Sequence, residues 1–159
     1  MTLLRTHRFS LRLLTASDAQ LGPRSDILVE GKSTGKAVSG AVFEAAYSWN
    51  GRYLLFITDD IPNEETLHIY LLDSDLNVRD WARLGAMYST GHLSALEPEQ
   101  PNVVHFRFFG DTVWTISLLP APVFHLPLIA DPRGVRRPLR LTREFALSGN
   151  PRPEPRNHG

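Results

Sequence analysis

The sequence predicts a mainly β fold: an antiparallel β-sandwich or partly open β-barrel, with room for one short helix. Three observations carry that expectation. Apolar residues gather in short runs of strand length, divided by Gly, Pro, Asn and Asp. Two dipeptides, Asn50-Gly51 and Gly110-Asp111, each stand between such runs, where two-residue hairpin turns need positive-φ residues. No long alternation of strand-like and helix-like segments supports a doubly wound parallel sheet. An α+β fold with a single helix near Trp81 is the alternative.

Size and composition bound the answer. The chain has 159 residues, 42% of them hydrophobic, enough for one domain with its own core. That domain is expected over 1–147. Residues 148–159 read SGNPRPEPRNHG, with nothing large and apolar to offset ordering, and are expected to be a flexible tail. No apolar stretch reaches the ~20 residues that cross a bilayer as a helix. Cysteine is absent, which excludes disulfides, thiol chemistry and thiolate metal sites. Arg5, Arg8 and Arg12 break the apolar character of the first residues, so an N-terminal strand is expected rather than a leader, with the cytoplasm as the default location.

The elements follow in order. Residues 3–14 are read as a strand with imperfect alternation. Residues 15–40, rich in Ser, Gly, Asp and Lys, are read as loop apart from a short strand at Ile27, Leu28 and Val29. Residues 41–49 and 52–58 form a hairpin about Asn50-Gly51. In it Trp49 faces Arg52, Tyr47 faces Leu54 and Ala45 faces Phe56, with Phe43 on that same side. The second strand is apolar on both sides, which predicts an interior strand covered twice. Residues 59–66 (DDIPNEET) make a polar connection, and 67–72 a short buried strand. Asn77 suits a helix N-cap with Asp80 at the third position, so a short helix over 78–87 would bring Trp81, Leu84 and Tyr88 near one face. Gly85 weakens that helix and leaves a turn-rich strand as the alternative. A brief strand is expected around 93–96. A second hairpin joins 103–109 to 112–119 through Gly110-Asp111, with Phe108 opposite Val113, Phe106 opposite Thr115, His105 opposite Ile116, and Arg107 stacked on Trp114. Beyond Pro120 and Pro122, residues 123–128 are read as an extended edge and 139–145 as the last strand.

Motifs for chemistry are weak. Gly31-Lys32-Ser33 and Gly35-Lys36 lack the full phosphate-loop string, since Ala37 follows Lys36. Residues 73–77 (DSDLN) open like a calcium loop, but Val78 and Leu84 stand where glycine and the closing carboxylate belong. There is no GxSxG elbow. Asp59, Asp60, Glu64 and Glu65 would serve as a glycosidase pair only at a fixed separation, which a loop does not specify. His68, His92, His105 and His125 form no close pair in sequence, yet a barrel could gather them around a metal with Asp59 or Asp60. No cofactor is expected from these patterns.

Charge is the more informative signal. Seventeen basic and seventeen acidic residues cancel, but 55–100 carry nine acids against two bases, and 131–159 carry seven bases against three acids. Arg133, Arg136, Arg137, Arg140 and Arg143 form a basic run, but the neutral total makes a nucleic-acid partner an unfavoured reading. The expected function is a non-catalytic protein-binding domain whose acidic surface engages a basic protein, with a toxin-neutralising immunity protein as one concrete form. Its binding residues would be Asp59, Asp60, Glu64, Glu65, Asp73, Asp75 and Asp80, with Trp81 and Tyr88 as aromatic anchors. That reading requires the acidic loops to share one end of the sheet. The alternatives are a small β-barrel enzyme with a histidine-bound metal, and an accessory subunit whose exposed apolar strand completes a larger assembly. No membrane partner is expected, and a homo-oligomer is compatible with the sequence.

Overall fold

The Asn50-Gly51 turn starts the central layer. In the computed structural model, which describes residues 2–14, 22–61, 64–85, 91–126 and 131–152, Asn50 and Gly51 have φ of 48° and 72°. These are the two left-handed residues of a type I′ turn, so Val42–Trp49 (β5) folds straight back into Arg52–Thr58 (β6). Trp49 pairs with Arg52, Tyr47 with Leu54 and Ala45 with Phe56, as the sequence predicts. Leu67–Leu72 (β7) and Val78–Leu84 (β8) continue the meander, and the short strands Leu4–Arg5 (β1) and Val135–Arg136 (β12) close its edges. The resulting six-stranded antiparallel sheet has the order β1-β5-β6-β7-β8-β12.

Alternation along β6 gives this sheet two apolar faces, and each is covered. One side meets a four-stranded antiparallel sheet of Ser94–Glu99 (β9), Val103–Arg107 (β10), Trp114–Phe124 (β11) and Thr142–Ser148 (β13). There Tyr47, Leu54, Phe56 and Ile69 pack against Phe106, Trp114, Ile116 and Phe145, all buried. The Phe56 and Phe106 rings meet edge-on at 5.6 Å. The other side meets a three-stranded antiparallel sheet of Phe9–Leu13 (β2), Arg24–Val29 (β3) and Lys32–Ser39 (β4). There Ala46, Leu55, Ile57 and Leu72 meet Phe9, Ile27 and Val38. The molecule is therefore a three-layer, all-β sandwich with no sheet closed into a barrel. Among the described residues there is no helix, and so none long and apolar enough to cross a membrane.

Several expectations are corrected. A bulge between Phe43 and Ala45 pairs Phe43 with Ile57 and sends it to the opposite face from Tyr47. Residues 78–84 of the expected helix are strand β8. Asn77 does not cap a helix there. Asp73 Oδ1 accepts from the Asp75 and Asn77 amides at 2.9 Å each, closing a β7–β8 turn, and Leu76 takes φ 66°. The second hairpin is slipped by one residue: Phe106 pairs with Trp114 and His105 with Thr115. Such a slip exchanges the two faces, so Trp114 is buried with its indole N–H donating to the Phe109 carbonyl at 3.1 Å. Arg107 instead lies 3.8 Å from Asp111. Residues 32–39, read as loop, are strand β4. Residues 3–14 divide into β1 and β2, and the last strand begins at Thr142. Strand β11 passes through Pro120 and Pro122 by means of an irregularity between Leu118 and Val123.

The slipped register has a direct test. Trp114→Ala is expected to cost about 3–5 kcal/mol in urea unfolding, as truncations of large buried side chains do, and Arg107→Ala to stay within about 0.5 kcal/mol. Small effects from both would indicate that Trp114 lies outside the core.

Candidate functional site

The acidic residues singled out from the sequence do not form one surface. Asp59, Asp60, Glu64 and Glu65 belong to the β6–β7 connection, and Asp73 and Asp75 to the β7–β8 turn. Those two connections lie at opposite ends of β7, roughly 20 Å apart at ~3.3 Å per residue. That exceeds the ~8 Å screening length at physiological salt, so their fields do not add.

Most of these acids are also engaged within the chain. Asp59 Oδ1 lies 2.8 Å from His68 Nε2, with both side chains largely buried. Glu65 Oε1 accepts from the amides of Asp59, Asp60 and Thr66 at 2.8, 3.0 and 3.1 Å. Asp73 holds its own turn. Asp80 is 1% exposed and pairs with Arg137 Nη2 at 2.7 Å. Its side chain points into the seam between β8 and β13, where it also accepts from the Glu144 amide at 2.9 Å. Asp60, Glu64 and Asp75 remain exposed and outside any ion pair among the described residues. Trp81 projects to the other face of β8, partly exposed, and Tyr88 lies outside the described residues.

The histidines are dispersed as well. His68 sits on β7 against Asp59, stacked on Tyr70 at 6.3 Å. His105 is on β10, with Nδ1 3.0 Å from Thr115 Oγ1 and Nε2 2.5 Å from Glu99 Oε2. His92 is exposed beside Phe108, whose carbonyl accepts its amide at 3.1 Å. His125 follows the end of β11. Among the described residues no three His, Cys, Asp or Glu are gathered so as to hold a metal ion.

A further surface lies where β11 runs on past Leu118, beyond the irregularity in its pairing with β13. Val123 pairs with Arg143 and Phe124 with Thr142, and the His125 amide donates to the Leu141 carbonyl at 2.7 Å. This two-stranded ribbon carries exposed apolar side chains: Val123 at 52%, Phe124 at 64%, Leu126 at 51% and Leu141 at 58%, with Leu139 beside it at 98%. At its base lies a groove of about 290 Å³, lined by Val123, Phe124, His125, Asp131, Arg143 and Phe145 among others. Arg143 grips Asp131 through both terminal nitrogens at 3.2 and 3.4 Å. Among the described residues, His125 Nε2 and Arg143 Nε are buried without a hydrogen-bond partner. Deeper in the groove, burial lowers the Arg137 guanidinium below its ordinary range, and the Asp80 carboxylate opposes that shift.

Sequence reasoning placed an extended edge near 123–128 but no site on it. The available signal is the apolar character of Val123, Phe124 and Leu126 after Pro120 and Pro122 on an expected edge.

The division between working and free carboxylates is measurable. Glu65→Ala is expected to cost about 1–3 kcal/mol in urea unfolding, because it orphans partly buried amides. Asp60→Asn with Glu64→Gln should change stability by no more than about 0.5 kcal/mol. The chain matches no protein-family model, no curated protein and no solved structure.

Proposed function

We propose that this chain is a non-catalytic protein-binding domain, and that its contact surface is the β11–β13 ribbon, through which it joins a larger assembly. The observation that carries this reading is the exposure of Val123, Phe124, Leu126 and Leu141 along the two faces of the ribbon, with Leu139 close by in sequence. Scattered apolar residues are ordinary on a protein surface, whereas several together on a projecting ribbon mark an interaction site. Phe124 is the anchor, since buried aromatics dominate interface energies. The partner is a protein offering an apolar cleft. Acidic groups at its rim would suit Arg140, which stands exposed between Leu139 and Leu141.

The reading as a toxin-neutralising immunity protein belongs to the same class but uses another surface. It is supported by Asp60 and Glu64, exposed at the β6–β7 end, and there it would steer a basic partner. The two surfaces separate by mutation. The tagged chain, a Phe124→Asp/Leu141→Asp variant and an Asp60→Asn/Glu64→Gln variant are compared by co-purification from native cells, then by titration of the recovered partner. The ribbon variant is expected to lose affinity by roughly 30-fold or more, equivalent to a hot spot of at least about 2 kcal/mol, with its melting temperature unchanged. The acidic variant should keep the partner. The reverse pattern would overturn the ribbon as the contact surface and favour the basic-partner reading.

A further inference from the structure

We propose that the outer face of β8 and β12 binds single-stranded nucleic acid, with Trp81 as a stacking platform and Arg83, Arg136, Arg24 and Lys36 as phosphate contacts. This surface is separate from the ribbon, and the proposal does not rest on it.

The register builds the face. Tyr70 pairs with Trp81, His68 with Arg83, and Arg83 in turn with Arg136, so these side chains share one side of the central sheet. The three-stranded layer covers that side over β5, β6 and β7 and reaches β8 only at its first residue, Val78. Its edge stops beside Trp81: the Ser39 amide donates to the Tyr70 hydroxyl at 3.0 Å, and Lys36 Nζ donates to Asn77 Oδ1 at 2.8 Å. Arg24 Nη1 reaches Ser39 Oγ at 3.4 Å on the same rim. Trp81 belongs to neither core cluster and remains partly exposed.

Charge then selects the ligand. None of Arg24, Lys36, Arg83 and Arg136 has a carboxylate within ion-pair distance among the described residues. Arg83 and Arg136 stand directly opposite each other, and like charges so placed destabilise a sheet. Edge protection alone asks for charge but not for this opposition. Asp59, beside this face, is engaged by His68, which pairs across with Arg83. The neutral total of the chain conceals this surface, although the β6–β7 connection, with Asp60 and Glu64 exposed, adjoins its Arg83 end through Thr66 and Gly85. A partly exposed indole beside guanidinium groups that have no carboxylate partner among the described residues matches a strand of stacked bases and phosphates. A base offers the π-face that a Glu-rich peptide lacks.

The test uses the full chain and a fluorescein-labelled oligouridylate of about twelve nucleotides, a length within the usual single-strand site sizes. Trp49 and Trp114 are 6% and 0% exposed, so quenching of intrinsic fluorescence reports Trp81. Binding is expected with quenching and with a slope of log K against log salt near −3, about −0.7 for each of four phosphates. Arg83→Ala/Arg136→Ala, which touches neither core, should flatten that slope by about 1.4. Trp81→Phe should abolish the quenching, and Trp81→Ala should weaken binding roughly tenfold. Absence of binding at about 50 mM salt, or an unchanged slope in the double arginine variant, would overturn the proposal. Equal displacement by oligoglutamate would also overturn it, and would assign the face to an acidic protein.

Discussion

The buried pair of Asp80 and Arg137 holds the two large layers of this molecule in register at their shared margin. Both side chains are 2% exposed. The Asp80 carboxylate accepts from Arg137 Nη2 at 2.7 Å, from the Glu144 amide at 2.9 Å and, through Oδ1, from the Trp81 amide at 2.8 Å. Arg137 returns the link by donating to the carbonyls of Trp81 and Phe145 at 2.9 and 3.0 Å. Its guanidinium lies 4.0 Å over the Phe145 ring. Taking two charges out of water costs several kcal/mol each, which excellent geometry and further hydrogen bonds can offset. Here every one of those bonds joins β8 of the central sheet, the segment after β12, or β13 of the outer sheet. The pair thus specifies where β13 begins, and with it the base of the ribbon and the groove.

The same logic explains how a neutral chain acquires unlike surfaces. The acid-rich middle and the base-rich C-terminal region meet at this seam. Glu144 adds to it, with Arg79 Nε at 3.1 Å and Arg52 Nη1 at 3.6 Å. Charges consumed there leave the remainder unevenly spread. Exposed Asp60, Glu64 and Asp75 stay on the connections at the two ends of β7, Arg83 and Arg136 stand beside Trp81 outside any ion pair among the described residues, and the ribbon exposes Val123, Phe124 and Leu141. Each surface follows from what the seam and the cores have already taken.

Local rules made part of this legible. The Asn50-Gly51 hairpin, its register and the twice-covered β6 were readable because turn chemistry and side-chain alternation agree there. Strand β8 was hidden because its inward positions begin with a charged residue: Asp80, Ala82 and Leu84 alternate, but an aspartate is ordinarily read as outward. Its partner Arg137 lies far away in sequence, and no local pattern announces the pairing. Strand β4, with Lys32, Ser33, Thr34, Gly35 and Lys36, has polar composition because it forms the edge of the smallest layer. Trp114 was misplaced because the 107–113 connection is longer than the two-residue turn that Gly110-Asp111 suggested. The acidic residues were visible as a group in sequence, but a strand of six residues separates their two connections in space.

Asp80 and Arg137 act as one coupled unit across the seam. A double-mutant cycle in urea, with Asp80→Asn, Arg137→Met and both together, measures that coupling most directly. Each single change is expected to cost about 3–5 kcal/mol, as breaking a buried pair does, with Arg137→Met the milder because backbone amides still serve Asp80. The double variant should cost less than the sum by about 2 kcal/mol or more. Strict additivity, with a coupling below about 0.5 kcal/mol, would mean that the two residues act independently.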